Sequence, residues 1–143
     1  MNNKKMSSKK DIHKNFKLLI FVGYFYPRTG GVEKVVFDLI RQLEKKGVKD
    51  ITIITRKHDK NLRSFEIVNG AKVYRIALSK NPIMSLFKVW SWIIKNKEII
   101  LKADLFQFHD QNTFLWHLPL IFYKKPKYLI FHGYDLPMPV RLR

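Results

Sequence analysis

The stretch KLLIFVGYFYPRTGGVEKVVFDLIRQLEKKGVKDITIITR, Lys17 to Arg56, decides the fold. It opens on a continuous apolar run, Lys17 to Phe25, of strand length. A strand with one wet face alternates apolar and polar residues. A run without alternation reads as a strand buried on both faces, as in parallel sheets. Val32, Val35, Val36, Leu39, Ile40 and Leu43 then recur at helical spacing. Gly47 stands where a helix ends in a left-handed residue, and Lys45 and Lys46 suit the negative end of the helix dipole. DITIITR, Asp50 to Arg56, is a second strand. Strand, helix, strand spells a βαβ unit with a parallel sheet.

Outward from this unit the pattern continues. Residues 1–15 read as a disordered basic tail, with Lys4, Lys5, Lys9, Lys10 and Lys14 among Ser and Asn. SFEIVNGAKVYRIAL holds two short strands around Asn69-Gly70, a hairpin signal. Asn81-Pro82 opens a helical stretch to about Lys102. ADLFQFH is a strand, Gln111 to Tyr123 is helical with Pro119 limiting or kinking it, and KYLIFHG is a further strand. The end, YDLPMPVRLR, reads as irregular. Alternating strands and helices predict an α/β fold, a doubly wound Rossmann-like domain of three layers over residues 16–143. In such sheets the ligand crevice lies at the carboxyl ends of the strands. That edge carries Tyr24 to Gly31, Arg56 to His58, His109-Asp110-Gln111 and His132-Gly133-Tyr134-Asp135.

The chain has 143 residues, 46% hydrophobic and 27% charged, which suits one globular domain. Without cysteine there is no disulfide framework and no thiolate metal site, as fits a reducing cytosol. The net charge of +17, from 28 Lys and Arg against 11 Asp and Glu, favours an anionic partner. A composition rich in Lys, Ile, Asn and Phe accounts for part of that excess. No nucleic-acid motif is present and the aromatics fall in core-like segments, so a basic nucleic-acid-binding module is the disfavoured alternative. No apolar stretch reaches the ~20 residues of a spanning helix. Ile83 to Leu101, with Phe87, Trp90 and Trp92 among Lys88, Lys95 and Lys97, reads as a core helix by its broad apolarity. An interfacial helix on an anionic membrane surface is its alternative.

Gly30-Gly31 lies between a strand and a helix, where glycine lets a ligand reach the backbone and free N–H groups attract an anion. The dinucleotide fingerprint and the P-loop are both absent. His132 and His109, with Asp110, sit at strand ends, where a histidine can donate or accept near neutral pH. His13, His58 and His117 read as tail, loop and amphipathic-helix residues. The histidines show no metal spacing.

As an ordered set, YFYPRTGGVEKVVFDLIRQLEKKG, ITIITR, NGAKVYRI, ADLFQFHD and YLIFHGYD resemble the N-terminal domain of GT-B glycosyltransferases of family 4. The resemblance covers about residues 16–135. It implies retaining transfer, of hexosyltransferase type, from a nucleotide-sugar to an acceptor hydroxyl on a glycan or glycolipid of the cell envelope. It needs no cofactor and no obligatory metal, in the cytoplasm or peripherally on the inner face of the membrane. It maps the donor-diphosphate approach to Gly30 and Gly31, the catalytic histidine to His132, and the acceptor side to His109, Asp110 and Asp135. The family's second domain carries a Glu-x₇-Glu motif. Glu33, Glu44, Glu66 and Glu98 form no pair at that spacing. The expectation is therefore a fragment, a truncated product or half of a two-chain enzyme, inactive alone and partnered by a separate C-terminal domain. A non-catalytic interaction subunit is the other alternative.

Overall fold

The structure, a computed structural model, describes residues 15–133. Most of the expected basic tail, the final irregular segment and Asp135 lie outside the described residues. Six strands form one sheet in the order β3-β4-β2-β1-β5-β6. They are β1 (Lys17–Phe21), β2 (Asp50–Arg56), β3 (Phe65–Val68), β4 (Ala71–Ile76), β5 (Leu105–His109) and β6 (Lys127–Ile130). Neighbours are parallel throughout, except where β3 turns back on β4. That hairpin turns at Asn69 (φ 47°) and Gly70 (φ 75°), the two left-handed residues a tight hairpin turn requires.

Both faces of β1 are buried, as its unbroken apolarity implied. Leu18, Ile20 and Val22 enter one core with Val36 and Ile40 of α1 (Gly31–Lys45). Leu19 and Phe21 enter a second core with Val89 and Ile93 of α2 (Pro82–Lys95) and Ile100 of α3 (Lys97–Lys102). Alternation along one strand thus feeds two helical layers, the three-layer arrangement expected.

Four expectations shift in detail. The apolar run to Phe25 is strand only as far as Phe21. Val22 and Phe25 are buried as loop residues, with the Phe25 ring 6.5 Å from that of Phe37 on α1. Val35 shares the apolar spacing of α1 yet is 48% exposed. The helix from Pro82 breaks at Asn96, whose amide donates to Trp92 O at 2.8 Å, a local side-chain bond that competes with helix continuation. The segment from Gln111 divides into α4 (Gln111–Trp116) and a 3₁₀ turn (Leu118–Phe122), since Pro119 has no N–H to continue the ladder.

The α2 stretch is neither purely core nor purely interfacial. Ser85, Val89 and Ile93 are buried, while Ile83, Met84, Phe87 and Ile94 are exposed. No helix among the described residues is long and apolar enough to cross a membrane.

Candidate functional site

The strand ends converge on one cavity of about 410 Å³. The end of β1 supplies Gly23 and Tyr24, the end of β2 Thr55 and Arg56, and the turn into α4 Asp110. His132 follows β6, and Trp116 and His117 close α4. Part of the wall is apolar, from Ile76, Leu78 and Val89. A half-apolar cleft with a few convergent polar groups is the ordinary form of a small-molecule site.

His132 is held from behind. Its Nε2 lies 2.6 Å from His109 Nδ1, and the two rings lie edge to edge in nearly one plane, 14° apart with centroids 4.9 Å apart, as an in-plane hydrogen bond requires. His109 is wholly buried and in turn takes a contact from Gln107 Nε2 at 3.0 Å. The amide nitrogen of Gln107 can only donate, so His109 Nε2 accepts and its proton sits on Nδ1. His109 Nδ1–H then donates to His132 Nε2. His132 is left with its proton on Nδ1, an N–H donor at the cavity wall. Burial, reinforced by the neighbouring His132, lowers the pKa of His109 to about 4, so it relays orientation as a neutral ring. His109 does not itself line the cavity. Its place is behind His132.

Asp110 does line it, and its backbone is unusual. With φ 76° and ψ 148° it sits in a region that non-glycine residues avoid. The Asp110 N–H donating to Ile130 O at 3.0 Å, across the β5–β6 boundary, holds that geometry. Strain maintained by surrounding hydrogen bonds is a mark of functional loops.

The mouth is cationic. The guanidiniums of Arg28 and Arg56 lie over the Tyr24 ring at 3.9 and 4.7 Å, and Arg56 Nη1 donates to Tyr24 Oη at 2.8 Å. Lys57, His58 and Lys80 line an adjoining hollow together with both arginines. Buried Arg75 on β4 anchors this loop, donating to Tyr26 O at 2.6 Å while paired with Glu66.

Gly30 and Gly31 do not join this cavity. Gly30 lines a separate hollow with Phe25, Tyr26 and Phe37. A Cβ on Gly30 would collide with Glu33 Oε2, so the group that approaches its backbone is the protein's own carboxylate. Around Gly31 there is open space.

Sequence reasoning placed His117 on an ordinary amphipathic helix. It is 8% exposed, lines the cavity, and packs its ring 4.6 Å from that of Phe21. The one signal was its spacing of four from Thr113, whose carbonyl its Nδ1 meets at 2.7 Å. Trp116 was likewise not singled out.

The model of Glycosyltransferase Family 4 matches residues 29–142. No curated protein matches the sequence. Among solved structures the fold is similar to sucrose-phosphate synthase from Thermosynechococcus elongatus, with a TM-score of 0.64 and 14% identity. The match covers 82% of this chain and 33% of that one, so the chain spans about a third of the synthase's length. At that identity the likeness speaks for the fold alone, a Rossmann-like half of the GT-B architecture. Most of the chain, from α1 through the ends of β2, β5 and β6, falls within the family match, and on that ground the protein belongs to glycosyltransferase family 4.

Proposed function

We propose that the chain forms the acceptor side of a site that transfers a sugar from a nucleotide-sugar to an acceptor hydroxyl. The observation that carries this reading is the Gln107–His109–His132 chain, which presents an oriented N–H at the cavity wall. When the bond from sugar to diphosphate breaks, negative charge builds on the departing phosphate. A preset N–H donor stabilises that charge without reorganising. The second donor set is the N-terminus of α1, where the open space above Gly31 admits a diphosphate. Glu33 must leave Gly30 for that approach. Asp110 and Asp135 serve the acceptor side, and no metal or cofactor is required.

The donor-binding half comes from a second GT-B domain, carried on a separate chain or as a continuation, and the 143-residue chain alone does not turn over. The acceptor is a cell-envelope glycan or glycolipid. Arg28, Arg56, Lys57 and Lys80 at the mouth suit an anionic acceptor or a headgroup layer. The enzyme works in the cytoplasm, peripherally on the inner face of the membrane.

The test is a sugar-transfer screen on this chain combined with a GT-B donor-binding domain. Transfer should require both parts and fall sharply in His132→Ala but not in Lys102→Ala. Equal effects of the two substitutions would remove His132 from the site, and turnover by the isolated chain would end the half-site reading.

A further inference from the structure

His117 has a feature that the transfer reading does not use. A carbonyl oxygen only accepts, so the 2.7 Å contact with Thr113 O fixes the ring proton on Nδ1. Nε2 is then a bare lone pair, and it is buried without a hydrogen-bond partner. Burial lowers the pKa of this ring to about 4, against the opposing pull of the Thr113 carbonyl, so the lone pair persists at neutral pH. Orphaned buried acceptors are rare because each forfeits the hydrogen bond that water would give. Its ring forms part of the wall of the 410 Å³ cavity, with Nε2 itself covered.

We propose that His117 Nε2 accepts a hydrogen bond from a hydroxyl of the bound ligand, so that the inner cavity reads a hydroxyl-rich ring. The two cavity histidines are complementary. His132 offers an N–H because His109 fills its Nε2, and His117 offers a lone pair because Thr113 holds its Nδ1. Trp116 and Val89 add an apolar surface for the C–H face of such a ring. Hydroxyls that can donate and accept, on a ring with an apolar face, describe a pyranoside. His117 would select by hydroxyl position, because a ligand lacking that hydroxyl leaves the lone pair orphaned.

This inference rests on reading the cavity as the acceptor site, and the experiment separates the two. The probes are methyl α-glucopyranoside, methyl α-galactopyranoside and methyl α-mannopyranoside, added to the 143-residue chain labelled with ¹⁵N-histidine. At least one should move the His117 Nε2 resonance. His117→Phe keeps a ring against Phe21 and removes the lone pair. It should leave the melting temperature unchanged or higher and weaken that glycoside about tenfold, the scale of one hydrogen bond lost to a buried acceptor. His117→Gln, which restores an acceptor oxygen, should recover part of the affinity. If a glycoside binds and shifts His132 while the His117 resonance and the His117→Phe affinity stay unchanged, the inference falls and the acceptor reading stands. If none of the three binds, both fall. A lower melting temperature in His117→Phe would mean that an ordered water, not a ligand, satisfies Nε2, and would also overturn the inference. Should that variant not fold, the ¹⁵N shift in the unaltered chain decides.

Discussion

Two regions of this fold answer the same sequence cue differently. The β1–α1 loop and the ends of β5 and β6 both place chemistry-bearing residues at the carboxyl edge of the sheet. At β5 and β6 the sheet does the assembling. Parallel pairing sets His109 opposite Ile130, and His132 two residues on comes within hydrogen-bond reach of His109. At the β1–α1 loop nothing converges. The helix N-terminus is covered by Glu33, whose Oε1 also lies 3.7 Å from Arg28 Nε. The first region is preorganised. The second is closed by the Glu33 side chain, which lies against Gly30.

The largest effect should separate the two regions by catalysis. In the chain combined with a donor-binding domain, His132→Ala should lower kcat about a thousandfold, at the upper end for loss of one preset donor. His109→Phe removes the orienting bond, along with the Gln107 contact behind it, and should cost about tenfold, with KM for the acceptor unchanged, since His109 does not line the cavity. If His109→Phe matched His132→Ala, the relay would be a single catalytic unit. If it were silent, His132 would need no orientation.

Next in size is a pH effect carried by the two buried histidines. His109 and His117 are both held near a pKa of about 4 by burial, against about 6.5 in an unfolded chain. Between those values the unfolded state binds the extra protons, so stability is complete above about pH 6.5 and drains as pH falls toward 4. Linkage gives a loss of roughly 2 kcal/mol for each histidine at pH 5, large beside a typical stability of about 5–15 kcal/mol. Urea denaturation at pH 7.5 and pH 5 should show it, and His117→Phe should remove about half. A stability unchanged between those pH values would mean that neither ring is buried neutral.

The loop predicts a smaller and opposite signature. Gly31→Ala enters open space, so folding should be unaffected or slightly favoured, alanine being the better helix former. Donor affinity in the combined enzyme should nonetheless fall, because the methyl group occupies the approach to the backbone. Glu33→Gln removes the competing carboxylate and should raise donor affinity by about threefold to tenfold. Gain in one and loss in the other, read by donor titration, would place the diphosphate at this helix end. No change in either would leave the glycine pair as a plain turn.

This contrast also marks what the sequence could tell. The doubly buried β1, the Asn69-Gly70 hairpin and the strand-end edge were all legible, because periodicity and turn chemistry are local. Relationships across the sheet were not. Alternation puts Gln107 and His109 on one face of β5, but nothing in FQFH says that they line up behind His132; that follows from register. Glu33 folding over Gly30 is a rotamer, invisible to pattern. His117 looked ordinary because its burial depends on Phe21, distant in the chain, and on Phe108 of the strand before α4.

The smallest effect concerns a surface outside both regions. On α2, Ile83, Phe87 and Ile94 are 64%, 60% and 70% exposed and recur at helical spacing, with Lys88 and Lys95 on the same helix. An exposed apolar stripe with basic neighbours suits the boundary of an anionic bilayer, where each lysine contributes about 1 kcal/mol near the surface. Ile94→Glu should therefore reduce co-sedimentation of the chain with phosphatidylglycerol-containing vesicles severalfold, without altering the His132 or His117 resonances. Lys95→Gln should reduce it less, and only at low salt, because headgroup attraction is screened within a Debye length of about 10 Å at 0.1 M. Phosphatidylcholine vesicles should bind weakly throughout. If Ile94→Glu changed nothing while salt abolished binding, the attachment would be purely electrostatic. The stripe would then have no part in bringing a membrane-borne acceptor to the cationic mouth.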